Sequence, residues 1–190
     1  MKSDPTDRFV EEIGRAVWLG SEVKPFINDG DIMDEAVQKN GIDLTIDKII
    51  QLMGCPSFSH NKDYEERCVH MEIEPQSITG LDSPGWNLGP GEYVIQWNEK
   101  IKIPTLAIGL LLPRSSMLRN GITINGAVWD RGYEGKGQSL MIVGSNGVLI
   151  ERFYRAAQMI FIGAIDDGES YEGQYQGENL YVEEKEENKD

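Results

Sequence analysis

Apolar and polar positions alternate with a period of two along much of this chain, the spacing of a strand with one buried face. Ile42, Leu44 and Ile46 alternate with Asp43 and Thr45. Similar runs predict strands at residues 92–97, 101–103, 139–143, 147–150 and 155–161, and residues 106–112 are apolar enough for a strand buried on both faces. Turn signals such as Gly89-Pro90-Gly91 and Gly144-Ser145-Asn146-Gly147 separate them. One segment follows a different period. Phe9, Ile13, Ala16 and Val17 predict a helix over residues 6–20, with Asp7, Glu11 and Glu12 near its start and Gly20 as its stop. Many short strands joined by Gly- and Pro-rich turns indicate an all-β sandwich or barrel.

Composition narrows the picture. The chain has 190 residues, enough for one domain with a real core, and a formal net charge of −14. That charge argues against a general affinity for nucleic-acid backbone or anionic membrane. No apolar run approaches the roughly 18 residues of a membrane span, and the start, MKSDPTDRFVEEIG, lacks a secretory apolar core. A cytoplasmic protein with free thiols is expected. Residues 54–83 hold Cys55, His60, Cys68 and His70, whose spacings fit no familiar zinc pattern; a variable insertion of loops and a hairpin is expected there. No P-C-x-x-C signature is present, which excludes a zinc-type deaminase. Residues 182–190 read as an acidic, solvated tail beyond a single domain spanning 1–181.

The candidate chemistry lies between residues 110 and 137. Pro113-Arg114-Ser115-Ser116 closes an apolar strand and opens a short helical turn. A guanidinium fork and two hydroxyls suit a polyphosphate; a serine N-cap would equally explain the serines. About a dozen residues later comes Asp130-Arg131-Gly132-Tyr133-Glu134-Gly135. PRSS followed by Asp-x-x-Tyr-x-Gly resembles the trimeric deoxyuridine triphosphatase and dCTP deaminase superfamily. The resemblance is colinear over most of residues 23–177: Lys24-Pro25-Phe26, Ile42-Asp43-Leu44, Gly89-Pro90-Gly91-Glu92, Ile103-Pro104, PRSS, and Ala157-Gln158-Met159-Ile160-Phe161.

The resemblance implies a mainly β, distorted jelly-roll barrel of the dUTPase-like type with a short N-terminal helix, assembled as a homotrimer. It implies a deoxyribonucleoside triphosphate as ligand and Mg²⁺ as the metal, with Asp43 acting through a water ligand. It places Asp130 as the water-activating base and Tyr133 against the deoxyribose. Arg114, Ser115, Ser116 and Gln158 fall on the phosphate side, and Arg119 at a shared subunit interface. Asn125 is the candidate for the base edge, since an amide both donates and accepts. Tyr171 and Gln174 lie in a segment, residues 170–181, that resembles a lid.

Two reactions run on such a scaffold. Zinc-free deamination needs a proton-shuttling glutamate, which in the deaminase branch of the superfamily follows the Gly-Tyr/Phe-x-Gly turn by about five residues; here Gln138, Ser139 and Leu140 supply no acid. Glu134 is the nearest acid, and its place inside the turn predicts that it faces solvent. Hydrolysis of dUTP to dUMP and pyrophosphate is therefore the expected activity. A dCTP deaminase, alone or bifunctional, and a nucleotide sensor with little turnover are the alternatives. Thr123 to Val128 is about two residues short of the usual base-recognition hairpin, and the tail lacks the arginine-containing glycine-rich motif of typical hydrolases.

Overall fold

The computed structural model describes residues 16–54, 56–58, 68–164 and 169–180. The expected helix lies mostly outside these residues. Its last part, residues 16–19, is not helical: Val17 bridges Ile162, and Trp18 N donates to Phe161 O at 3.0 Å. Gly20 does not stop a helix but begins the single turn α1 (Gly20–Val23). It is buried, and a Cβ there would lie 2.0 Å from the Gln38 carbonyl oxygen. Cys55, His60 and the acidic tail also fall outside the described residues.

Among the described residues twelve strands follow: β1 (Val37–Gln38), β2 (Gly41–Met53), β3 (Val69–Ile73), β4 (Gly85–Leu88), β5 (Gly91–Trp97), β6 (Ile101–Lys102), β7 (Ala107–Pro113), β8 (Ile122–Asn125), β9 (Glu134–Gly135), β10 (Gln138–Val143), β11 (Val148–Glu151) and β12 (Arg155–Gly163). An antiparallel sheet runs β7-β12-β2-β5-β10-β8, with β1 and β3 attached to β2. Its two ends meet where Gly109 of β7 exchanges backbone hydrogen bonds with Trp129, at 2.8 and 3.0 Å. The sheet thus nearly closes into a mainly β, jelly-roll-like barrel. Gly109 permits the closure, because a Cβ would lie 2.8 Å from Ile103 Cδ1 and 3.0 Å from Trp129 Cβ. Ile42, Leu44, Ile46, Ile95, Trp97, Met141, Met159 and Phe161 fill the interior.

The expected strands at 92–97, 139–143, 147–150 and 155–161 are present to within a residue or two at each end. Residues 106–112 are corrected in one respect. β7 buries alternate residues, and Leu106 and Leu112 are 49 % and 53 % exposed in the single chain. One side of β7 faces the barrel interior; its other side carries the part-buried Ile108 and Leu110 and the exposed Leu112. Within the 54–83 insertion, β3 pairs antiparallel with the end of β2, Ile49 opposite Ile73.

Candidate active site

β7 ends at Pro113 and the chain turns into α2 (Ser115–Arg119). Its N-cap is Arg114, not a serine, and no side chain caps it. Arg114 is tied back onto β12 instead: its N–H donates to Ala156 O at 2.9 Å and its Nη1 to Arg155 O at 2.8 Å. The remaining face of the guanidinium turns to Asp43, whose Oδ2 lies 3.0 Å from Arg114 Nε and 3.7 Å from Arg155 Nη1. Asp43 does not face solvent, as strand spacing alone would allow; it is 2 % exposed. Burial raises its pKa above the ordinary carboxylate value, and the two arginines oppose that shift. Its Oδ2 makes no hydrogen bond of good geometry. Gln158 stands opposite Asp43 in the β2–β12 ladder and donates to Asn40 O at 2.9 Å.

This cluster can hold an anion and one hard cation. Two guanidinium groups face a single carboxylate, so charge remains for phosphate oxygens. Among the described residues no three His, Cys, Asp or Glu gather as a metal site. A single carboxylate nevertheless fits Mg²⁺ through a water ligand, since the ion keeps most of its waters and takes other ligands from phosphates.

A second centre lies around the β8–β10 hairpin. A cavity of about 500 Å³ is lined by Asn125 and Asp130 on one side, by Gln138, Ser139 and Leu140 on another, and by Tyr133. β8 and β10 are paired over Leu140–Asn125 and then splay, which opens the slot. Trp129 meets Tyr133 edge-on at 5.1 Å. Gly137 lets this happen, since a Cβ would lie 2.4 Å from the Trp129 ring. Ser139 is buried and accepts from Trp97 Nε1 at 3.0 Å, so it is already committed.

Residues 169–180 fold across this cavity. Tyr171 lies against Tyr133 at 6.1 Å, Gln176 bridges Gly132 O and Glu134 N, and Glu178 accepts from the Tyr133 hydroxyl at 2.8 Å. Burial raises the Glu178 pKa, and burial beside Glu178 pushes the Tyr133 phenol up, so it stays protonated. Tyr171 lines the cavity; Gln174 is exposed and does not. Gln176, Tyr175 and Glu178 are the residues that sequence reasoning missed.

Glu134 is also corrected. It is ion-paired with Lys100 at 2.6 Å and Lys102 at 3.7 Å, and Lys100 lowers its pKa. The expected phosphate and nucleoside residues therefore form two groups on one chain. Arg114, Asp43 and Gln158 sit together, Asn125, Asp130 and Tyr133 sit together, and the cavity lining includes none of the first group. Ser115 and Arg119 are exposed on α2, and Ser116 opens on a separate cavity of about 460 Å³ with its buried hydroxyl unpaired.

Fold and site together define a strand barrel with an acidic, aromatic cavity and a two-arginine cluster apart from it. The family model described as dCTP deaminase-like matches residues 20–164. The chain belongs to that family. It is 30 % identical to a "Probable deoxyuridine 5'-triphosphate nucleotidohydrolase" of Halobacterium salinarum over 86 % of this chain and 93 % of the relative. It is 34 % identical to the deoxyuridine 5'-triphosphate nucleotidohydrolase of Methanocaldococcus jannaschii, over 76 % and 89 % of the two chains. Among solved structures, a 2'-deoxycytidine 5'-triphosphate deaminase from Agrobacterium tumefaciens shares the fold with a TM-score of 0.55 at 16 % identity. The match covers 78 % of this chain and 48 % of that one.

Proposed function

We propose that this protein is a cytoplasmic dUTP diphosphatase that hydrolyses dUTP to dUMP and pyrophosphate. One observation carries the reading most. Asp130 is exposed and lines the cavity together with Tyr133, while β10, which also lines it, offers Gln138, Ser139 and Leu140 and no carboxylate. A free carboxylate at the rim can take a proton from water attacking the α-phosphorus, and pyrophosphate then leaves. Tyr133 packs against the deoxyribose, and Asn125 pairs with the uracil edge. Arg114, Ser115, Ser116 and Gln158 orient the triphosphate. Asp43 is the residue that would hold Mg²⁺, through water; the ion neutralises phosphate charge when bound. The two archaeal relatives bear the name of this activity.

The two groups of residues lie apart on one chain, so a complete site draws on more than one copy. We assign a homotrimer with nucleotide sites between subunits. The exposed Leu106, Leu112 and Leu118 supply apolar surface for such contacts. Sedimentation should show a trimer, and a dilute monomer with full activity would remove the assignment.

A second reading has one observation in its favour: Glu178 places a carboxyl of raised pKa inside the cavity. It could serve a cytosine ring as proton shuttle. The decisive assay offers dUTP, dCTP and dTTP with Mg²⁺ and scores pyrophosphate and ammonia separately. Pyrophosphate from dUTP without ammonia from dCTP supports the hydrolase. Ammonia from dCTP that is lost in Glu178→Gln assigns the deaminase.

A further inference from the structure

β2 lies inside the sheet, yet one of its edges is interrupted. β1 covers Gly41 and Ile42 on that edge, and β5 takes over from Ile46. Between them, Thr45 faces the turn after β5 and no strand. Its carbonyl accepts from Asn98 N at 3.0 Å. Its N–H donates to Glu99 Oε2 at 2.9 Å, and its hydroxyl donates to Glu99 Oε1 at 2.6 Å. Both oxygens of one carboxylate therefore stand in for a missing strand.

This arrangement is costly for a simple seal. Glu99 is 3 % exposed; burial raises its pKa, and the hydrogen bonds from Thr45 oppose that shift. Burying a carboxylate is unfavourable even after relaxation. What it yields is direction. Thr45 stands opposite Arg155 at the point where the β2–β12 ladder slips, the bulge between Arg155 and Ala157. At a bulge the ladder itself fixes side-chain aim poorly. Asp43 lies two residues before Thr45 and so shares its face, and Arg155 and Arg114 both meet Asp43.

We propose that Glu99 is a positioning residue for the phosphate and metal end of the site: it clamps Thr45 across from the bulge and so fixes the aim of Asp43 and Arg155. This rests on reading that cluster as the end that receives the Mg²⁺-triphosphate. Glu99 touches neither substrate nor metal and acts through Thr45.

The test is binding of the non-hydrolysable α,β-imido analogue of dUTP to the full chain, by calorimetry, in Mg²⁺ and in EDTA. The ratio of the two dissociation constants reads the metal linkage without turnover. Removing a partner that orients a metal ligand weakens metal affinity roughly ten- to a hundredfold. Glu99→Ala should weaken the analogue in Mg²⁺ by about that range and shrink the ratio several-fold. Glu99→Gln should restore most of both, because its oxygen can accept the Thr45 N–H while its amide donates to the hydroxyl. Arg152→Met breaks a different ion pair, Arg152 to Asp47 at 2.6 Å, and should lower stability while leaving the ratio unchanged.

A folded Glu99→Ala with the wild-type ratio overturns the proposal, as does a Gln variant no better than Ala. If Glu99→Ala does not fold, Thr45→Val removes only the hydroxyl bond and should shift the ratio in the same direction by a smaller factor; no shift overturns the proposal. Wild-type protein that binds the analogue equally with and without Mg²⁺ overturns the reading of the cluster itself, and that failure appears before any variant is made.

Discussion

Replacing Arg114 by methionine should destabilise the fold in a strongly pH-dependent way. The Asp43 side chain is 3 % exposed, and the nearest cations are Arg114 at 3.0 Å and Arg155 at 3.7 Å. Removing one partner of a buried pair typically costs about 3–5 kcal/mol. Two features limit the loss here. Arg155 remains, and Asp43 can escape by taking a proton. From an ordinary value of 3.8, protonation at pH 7.5 costs at most about 5 kcal/mol, at 1.36 kcal/mol per unit. The raised pKa of the folded state makes the escape cheaper, so a deficit of about 3 kcal/mol or less, the low end of that range, is expected at pH 7.5. The sign with pH follows from linkage. The variant's folded state holds its Asp43 proton more tightly than the unfolded chain. Its stability is therefore fullest below the unfolded pKa and is lost as pH rises through the folded one. Urea midpoints at pH 7.5 and 5.5, at fixed protein concentration, should show the deficit shrinking on acidification. Asp43→Asn combined with Arg114→Met should be more stable than Arg114→Met alone at pH 7.5, since no orphan charge remains. A deficit below about 1 kcal/mol that does not vary with pH would be the behaviour of a solvated surface pair, and would refute the burial argument.

Three further outcomes follow from the second centre. Asp130→Asn should cut pyrophosphate release by roughly 10²–10⁴ with little loss of nucleotide affinity, because the phosphate cluster is untouched; single-turnover rates and analogue binding check this together. Deleting residues 170–190 should greatly reduce turnover and leave the barrel folded by circular dichroism, whereas deleting 182–190 should leave both turnover and fold unchanged. Closure of residues 169–180 should tighten as pH falls towards the range just above the ordinary glutamate value of 4.5, since the closed form raises the Glu178 pKa. Hydrogen-exchange protection of the Gly177 N–H, which donates to Glu134 O at 2.7 Å, reads that closure, and Glu178→Gln should flatten its pH dependence.

What the sequence revealed and what it hid divide along a physical line. Period-two stretches such as residues 92–97 and 139–143 were legible because each buries one face against the same core, a relation that neighbouring residues encode. The motif residues Arg114, Asp130 and Tyr133 could be proposed from sequence because short segments carry them. β2 was legible only at Ile42, Leu44 and Ile46. Beyond Ile46 it bulges at Asp47, which breaks the alternation while the strand continues to Met53. The roles of Glu99 and Glu178 left no local trace. Glu99 meets Thr45 across 54 residues and Glu178 meets Tyr133 across 45, and each was one acid among 32. A buried carboxylate is recognised by what the fold withholds from it, namely water and a ladder partner, and only assembled strands show that. The same reasoning explains why the phosphate cluster and the cavity could be named together in sequence yet lie apart on one chain. Colinear motifs state which residues a site needs, and the splayed hairpin and the bulge at Ala156 decide which of them one subunit can bring together. In the proposed trimer this division would link catalysis to assembly: conditions that separate the subunits should abolish turnover while each barrel remains folded.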